Sequence, residues 1–222
     1  MITRDAPFSV GERYHCYNFS IENRIAFTDA QDYRRFLEIL YLANQKTRFR
    51  RNDIGNRKFE EVLNLERDEP IVAIEAFCLM TTHFHLVLRE TSPGGITSFM
   101  RKVATSYTLY FNSRHTRVGN LFLRPFRSRH VPEESLRQVV SYVHCNPAEL
   151  YEPGWKTMHV TDPQFLSEHI SVYPYSSFGI HTGTISPLSA LLNMEKVPPS
   201  RPASIQKMIQ EALKYRTISN VP

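Results

Sequence analysis

Apolar and polar positions alternate along the chain in patterns that predict a regular succession of strands and helices. A continuous apolar run at 71–79 and an alternating stretch at 83–89 are separated by a tight connection, which is typical of a β-hairpin. Weaker or longer patterns predict the other elements: helices at 30–44, 59–65, 96–114 and 133–146, a strand at 14–21, and a strand or strand pair at 121–130. Apart from the short helix at 59–65, the predicted order is strand, helix, strand, strand, helix, strand, helix.

This order of elements predicts an α+β fold. Six successive elements match a ferredoxin-like or RRM-like plait, an antiparallel sheet with two helices on one face. We expect residues 1–178 to form this domain and residues 179–222 to form a C-terminal extension. The extension has a proline-rich run at 197–202 and one predicted helix at 204–215, and its composition indicates an appendage rather than core. The stretch at 147–175 has no clear period and is predicted to be irregular.

The overall composition narrows the class of protein without identifying it. The 222 residues are 41% hydrophobic and 22% charged, as in ordinary globular domains. No apolar run is long enough to span a membrane, and the first ten residues lack the apolar core of a secretory signal. Three scattered cysteines predict neither a disulfide framework nor a CxxC zinc site. We therefore expect a cytoplasmic protein that does not associate with membranes.

Positive charge is concentrated in one segment of the chain. The formal net charge is +5, and no acidic residue lies between Glu90 and Glu133. Cations that can hold phosphates alternate there with aromatic rings that can stack on bases. The candidate DNA-binding cations are Arg101, Lys102, Arg114, Arg117, Arg124, Arg127 and Arg129. A solvated helix face followed by a core-filling hairpin would give the same composition, so both interpretations remain open at this point.

A histidine pair in the second strand of the hairpin is a candidate metal site. Alternate residues of a strand point to the same face, so His83 and His85 project together while Phe84 points to the core. Two imidazoles one pleat apart can share a divalent cation. A His-x-His sequence is also common among ordinary half-buried histidines, and the pair alone does not decide between the two.

Tyr142 and Asn146 lie one turn apart on the last predicted helix of the domain, and so share a face. A phenol with an ordinary pKa of about 10 is a poor nucleophile until a metal polarises the group that it attacks. The amide oxygen of Asn146 would complete a shell that suits Mg²⁺ or Mn²⁺. A core tyrosine and a helix-terminal asparagine would give the same pattern.

Two short motifs resemble those of the single-tyrosine transposases that carry a His-hydrophobe-His (HUH) pair. The sequence MTTHFHLVL at 80–88 resembles their histidine motif, and YVHCNP at 142–147 looks like the tyrosine-helix motif of the REP-associated branch. Shorter similarities follow the same order along the chain, at 14–17, 32–40, 107–112, 119–122, 126–128 and 173–177. The resemblance therefore covers roughly residues 14–178, and it is the order and spacing of the motifs that make it specific.

The resemblance implies a fold of the HUH nuclease type and a role for each matched residue. His83 and His85 would bind Mg²⁺ or Mn²⁺ with Asn146 as the third protein ligand, and Tyr142 would attack a DNA phosphate. The product would be a 5′-phosphotyrosine and a free 3′-OH, which can later rejoin the strands. The implied substrate is single-stranded DNA with hairpins, in particular repetitive extragenic palindromes. We accordingly expect a nucleoid-associated transposase that acts as a monomer or homodimer.

Two other functions remain compatible with the sequence. A non-catalytic nucleic-acid-binding protein would use the same sheet and basic segment, but it would not need the complete set of histidines, tyrosine and asparagine. A hydrolase that uses the two histidines on a small substrate leaves the acid-free basic segment unexplained. The chain also departs from the family at 123–126, where LRPF replaces a QGRF-like run and displaces the arginine by one position.

Overall fold

The structure is a computed structural model that describes residues 7–47, 49, 54–157, 159–195, 197 and 204–219. Of the proline-rich run predicted at 197–202, only Val197 lies within the described residues. Among the described residues, no helix combines the length and the apolar character that a membrane crossing requires.

Four strands form one antiparallel sheet with the order β2-β3-β1-β4. The strands are β1 (Arg13–Phe19), β2 (Val72–Leu79), β3 (His83–Glu90) and β4 (Arg127–Val131). Because β1 and β3 are central and each has a neighbour from the other half, the sheet is the plait made by two interleaved βαβ units. The predicted α+β fold with an antiparallel sheet is confirmed.

One face of the sheet is covered by α1 (Ala30–Ala43) and α3 (Gly95–Arg114). The side chain of Asp29 caps α1 by accepting hydrogen bonds from the backbone amides of Gln31 and Asp32. In the core, Phe36 of α1 packs against Phe84 of β3, with ring centroids 4.8 Å apart. This is the face on which the sequence places its two helices.

The opposite face is also covered, by α4 (Leu136–Cys145) and by α7 (Ile205–Ser219) at the C-terminus. Met208 and Ala212 of α7 are fully buried in a second core that includes the sheet residue Val87. The prediction that the tail is an appendage is therefore wrong. Its apolar positions supply part of the cover that the second sheet face needs.

The region at 147–175, predicted to be irregular, contains the helix α5 (Pro163–Ser171). Asp162 caps α5 by accepting from the backbone amides of Gln164 and Phe165, and Pro163 occupies the first helical position. Leu166 and Ile170 bury the inner side of α5 in the second core. The prediction failed here because the helix is short and carries few apolar residues.

Several boundaries differ from the prediction. The strand predicted at 121–130 is reduced to β4, because the preceding residues turn inward: Phe122 is buried in the first core and forms an isolated bridge with Ser20. The remaining elements are short: α2 (Phe59–Val62), α6 (Phe178–His181) and the 3₁₀ segments Ile21–Asn23, Glu133–Ser135, Asn146–Leu150, Pro153–Thr157 and Pro187–Leu191.

Candidate active site

The histidine pair lies on the sheet face that α4 and α7 cover. In the pairing of β3 with β1, His83 lies opposite Phe19 and His85 lies opposite Tyr17. Phe84 points into the core on the other side of the sheet. The ring of His83 stacks on Phe19 with centroids 4.9 Å apart, and that of His85 lies 5.6 Å from Tyr17. The strand alternation therefore places both imidazoles on one face, as the sequence predicts.

The helix α4 brings Tyr142 to this histidine pair within the same chain. The Tyr142 ring meets His85 edge to face, with centroids 5.7 Å apart and an interplanar angle of 89°. The tyrosine is 0% exposed and also packs against Trp155 at 6.2 Å. Burial, followed by the neighbouring Tyr215, raises the pKa of the Tyr142 phenol above its ordinary value. The tyrosine ring is therefore beside His85, and the side chain is closed off from solvent.

Asn146 follows one turn after Tyr142 and is fully buried. Its amide nitrogen donates to the backbone carbonyl of Tyr142 at 2.8 Å, while its side-chain oxygen has no hydrogen-bond partner among the described residues. A buried oxygen without a partner costs about 1–3 kcal/mol, so its retention is consistent with a ligand that the chain itself does not provide. An amide oxygen is a suitable donor for Mg²⁺ or Mn²⁺.

Each ring of the histidine pair is oriented by a hydrogen bond at its own Nδ1 nitrogen. His83 Nδ1 lies 3.0 Å from Thr82 Oγ1, and His85 Nδ1 lies 2.9 Å from His15 Nε2. Burial lowers the pKa of His83 to about 4 and that of His85 well below its ordinary value, so both rings are neutral at neutral pH. A neutral imidazole whose Nδ1 is occupied by a hydrogen bond can offer Nε2 to a cation.

Two imidazoles and one amide oxygen form a donor set that a divalent cation such as Mg²⁺ or Mn²⁺ can use. Over the described ranges, no three His, Cys, Asp or Glu side chains come together as a metal site. The three cysteines are buried, and Cys78 and Cys145 lie in the second core, where Cys78 is the cross-strand partner of His85. Two imidazoles and the amide oxygen of Asn146 would leave the other positions of an octahedral ion to water or phosphate oxygens, as Mg²⁺ prefers.

Two further residues of the site were not singled out from the sequence. His15 of β1 is 0% exposed, and its Nδ1 lies 2.9 Å from the hydroxyl of Tyr215 in α7. Burial, followed by the charge of Arg129, lowers the pKa of His15 to about 3. The alternation of His15 with Tyr17 on β1 is visible in the sequence, but the register that sets His15 beside His85 is not.

Two of the candidate DNA-binding arginines lie on this same face of the sheet. Arg127 and Arg129 of β4 are exposed. In the pairing of β4 with β1 they lie opposite Tyr17 and His15, respectively. Arg127 also lies over the ring of Phe19, with its guanidinium carbon 5.8 Å from the ring centroid. Arg127 and Phe19 line an open cavity of about 320 Å³. This cavity adjoins His83 through the stacked ring of Phe19.

Three of the predicted cations, Arg101, Lys102 and Arg114, belong to α3 and so lie on the other face of the sheet from the histidine pair. Arg114 makes hydrogen-bonded ion pairs with Asp29 at 2.6 Å and Asp32 at 2.5 Å, which tie α3 to α1. Lys102 donates to the carbonyl oxygens of Gln45 and Lys46.

Arg117 orders a turn through the carbonyl of Asn120 at 2.6 Å. Arg101 is exposed on α3, on the far side of the sheet, where it lines a cavity with Phe49, and Arg124 is exposed in the segment before β4. The seven cations therefore do not form one continuous patch.

No protein-family model and no curated protein matches the sequence. Among solved structures, the chain is similar to a REP-associated tyrosine transposase bound to a REP hairpin, with a TM-score of 0.52 and 13% sequence identity. The match covers 84% of this chain and 90% of that one. At this identity the similarity shows the fold alone. The chain therefore has the fold of a REP-associated tyrosine transposase, as the motif resemblance predicted.

Proposed function

We propose that this protein is a metal-dependent DNA nuclease and strand transferase of the tyrosine-transposase kind, acting on single-stranded DNA that forms hairpins. The observation that carries the proposal is the approach of Tyr142 to His85, with ring centroids 5.7 Å apart, in a fold shared with a hairpin-bound transposase. Asn146, one turn further along, adds a buried oxygen that lacks a partner.

In this proposal His83, His85 and Asn146 would hold Mg²⁺ or Mn²⁺, and the bound cation would polarise the scissile phosphate and stabilise the leaving oxygen. The Tyr142 hydroxyl attacks phosphorus, the bond from phosphorus to the 3′ oxygen breaks, and a 5′-phosphotyrosine forms. The phenol loses its proton in this step and the departing 3′ oxygen gains one. The reverse attack by a 3′-OH rejoins DNA without an external energy source, because the phosphotyrosine retains the energy of the broken ester.

The exposed face beside the histidines would receive the DNA strand. Arg127 and Arg129 can hold phosphates, and the cavity beside Phe19 has room for a base next to the cleaved bond. Arg114 is not part of this proposed interface, because its guanidinium is already engaged by two carboxylates.

A non-catalytic nucleic-acid-binding protein is the second candidate, and one observation favours it. Tyr142 is 0% exposed, so a DNA phosphate cannot reach its hydroxyl while Trp155 and Tyr215 remain packed around it. Catalysis therefore requires these covering residues to move when DNA binds. A binding protein of the same fold would not require this movement.

Labelled hairpin-bearing single-stranded DNA, incubated with Mg²⁺ or Mn²⁺ and analysed on a denaturing gel, distinguishes the two functions. We expect a covalent protein–DNA adduct that chelator and Tyr142→Phe both abolish. Tyr107→Phe is a matched control, since Tyr107 is equally buried, donates to the carbonyl of Ala26 and lies on the other face of the sheet. Salt-sensitive binding without any adduct would favour the non-catalytic function, and an adduct retained by Tyr142→Phe would exclude this tyrosine as the nucleophile.

A further inference from the structure

We infer that His15 and Tyr215 position the metal ligand His85 through a chain of two hydrogen bonds, which makes the C-terminal helix α7 part of the catalytic apparatus. The inference rests on the proposed function, because it concerns the cation that His85 would bind. It assigns a role to two residues that lie outside the histidine and tyrosine motifs.

The two hydrogen bonds, together called the relay, connect α7 to β1 and β1 to β3. The Tyr215 hydroxyl lies 2.9 Å from His15 Nδ1, and His15 Nε2 lies 2.9 Å from His85 Nδ1. His15 and His85 are 0% and 1% exposed, and Tyr215 is also buried. Both contacts have ordinary hydrogen-bond lengths, and burial protects them from competition by water.

The direction of these hydrogen bonds determines whether His85 can bind a cation. A neutral imidazole carries one proton, so His85 can offer the Nε2 lone pair only when its proton is on Nδ1. Nδ1 then donates to Nε2 of His15, which leaves the proton of His15 on its own Nδ1, donating to the oxygen of Tyr215. If the direction were reversed, His85 would carry its proton on Nε2 and could not bind the metal there.

Packing fixes the rings in the orientation that this relay needs. The ring of His15 stacks against those of Tyr17 and His85, with centroids 4.9 Å and 5.1 Å away, and meets Tyr142 edge to face at 5.7 Å. A histidine ligand whose second nitrogen is held in this way is a recurrent feature of metal sites, where it selects the tautomer and the ring orientation.

The helix that carries Tyr215 is tied to the helix that carries Tyr142. Glu211 of α7 accepts a hydrogen bond from Ser141 at 2.8 Å and forms an ion pair with Arg137 at 3.0 Å, both of α4. The sheet side of α7 is anchored by the buried residue Met208. The Tyr215 hydroxyl is therefore held by the same packing that positions the nucleophile.

Nuclear magnetic resonance of isotope-labelled, metal-free protein tests the direction of the relay without any variant. We expect the ring nitrogens of His85 to show the proton on Nδ1, and those of His15 to show it on Nδ1 as well. A proton on Nε2 of His85 would overturn the inference.

Mn²⁺ binding, measured by electron paramagnetic resonance, tests the consequence for the metal. We expect His15→Leu to weaken Mn²⁺ affinity by about 10-fold to 100-fold, in the range seen when a residue that orients a metal ligand is removed. His15→Gln, whose amide oxygen can accept the proton of His85 Nδ1, should recover part of this loss. Tyr215→Phe should weaken binding in the same direction.

Tyr41→Phe is the matched control for Tyr215→Phe. It removes the hydrogen bond that the Tyr41 hydroxyl donates to the carbonyl of Leu65, and Tyr41 lies on the other face of the sheet. It should leave Mn²⁺ affinity unchanged. If wild type binds Mn²⁺ and both His15→Leu and Tyr215→Phe bind it equally well, the relay is wrong and the proposed function stands. If wild type binds no Mn²⁺, the metal-dependent function itself is wrong. Should His15→Leu fail to fold, His15→Gln, Tyr215→Phe and the resonance measurement still decide.

Discussion

His85 and Tyr142 face each other edge to face at 5.7 Å, although one comes from a central strand and the other from a helix much later in the chain. The contact exists because β3 and α4 pack together on the second face of the sheet, where the second core forms. Neither residue would suggest chemistry alone, since each is well buried and well packed. The proposed catalytic site rests on their contact and on the oxygen of Asn146, which has no hydrogen-bond partner in the part of the chain that the structure describes.

Asn146→Ala should separate metal binding from folding. In metal-free protein the change removes the hydrogen bond from Asn146 to the carbonyl of Tyr142, but also the buried oxygen of Asn146, so the two effects offset and the free energy of unfolding should change by no more than about 1 kcal/mol. In Mn²⁺ the wild type should gain thermal stability that the variant lacks, because ligands that bind only the folded state stabilise it. Thermal unfolding with chelator and with Mn²⁺ measures both effects. Equal stabilisation of both proteins by Mn²⁺ would exclude Asn146 as a ligand.

Replacing both Arg127 and Arg129 by Ala should weaken binding to single-stranded DNA and reduce its salt dependence. If each contacts one phosphate, the slope of log affinity against log salt should fall by about 1.4, at about 0.7 per contact. Fluorescence anisotropy with a labelled hairpin at several salt concentrations measures the slope. Arg101→Ala is the control, because it removes an exposed charge from α3 on the far side of the sheet. A larger effect of Arg101→Ala would place the DNA along α3 instead.

The local part of this site could be predicted from the sequence. The period of two in a strand is sufficient to put His83 and His85 on one face and Phe84 on the other. Asp29 is a residue type preferred at helix N-termini and indicates where α1 begins. Residues that meet only through strand pairing are different. His15 lies beside His85 because β1 pairs with β3 in one particular register, which no local pattern specifies.

The same limit applies to the surroundings of the cations and to the tail. A local charge pattern does not reveal that Arg114 is engaged by Asp29 and Asp32, which precede it by a large sequence separation. The burial of α7 depends on an open sheet face that exists only after folding. In contrast, α5 could have been found, because Asp162 followed by Pro163 is a recognisable helix start.

Met208→Ala should destabilise the whole domain, because α7 is part of the second core. Met208 is 0% exposed, and truncating a fully buried methionine to alanine costs about 2–5 kcal/mol. Chemical denaturation followed by tryptophan fluorescence is suitable, since Trp155 is buried in the same core. Lys207→Ala, at an exposed neighbouring position, should change the free energy of unfolding by less than about 0.5 kcal/mol. A Met208→Ala protein as stable as wild type would restore the view of the tail as an appendage.

Acidification should destabilise the protein through histidines that are buried in the neutral form. Burial lowers the pKa of His181 from 6.5 to about 4 and lowers the pKa of His144 well below its ordinary value, and their rings lie 4.7 Å apart. Below pH 6.5 the unfolded chain binds protons that the folded chain does not, so stability is full above that pH and is lost as the pH falls towards 4. Each such histidine contributes a slope of up to about 1.4 kcal/mol per pH unit in this window.

His181→Gln isolates one part of this slope. The glutamine amide can still donate to the carbonyl of Glu75, which His181 Nε2 contacts at 2.9 Å, but it does not titrate. With chelator present throughout, the free energy of unfolding of the variant should fall less steeply between pH 6.5 and pH 4 than that of wild type. His159→Gln, at an exposed position, should reproduce the wild-type slope. Parallel curves for His181→Gln and wild type would show that His181 is protonated in the folded protein as readily as in the unfolded chain.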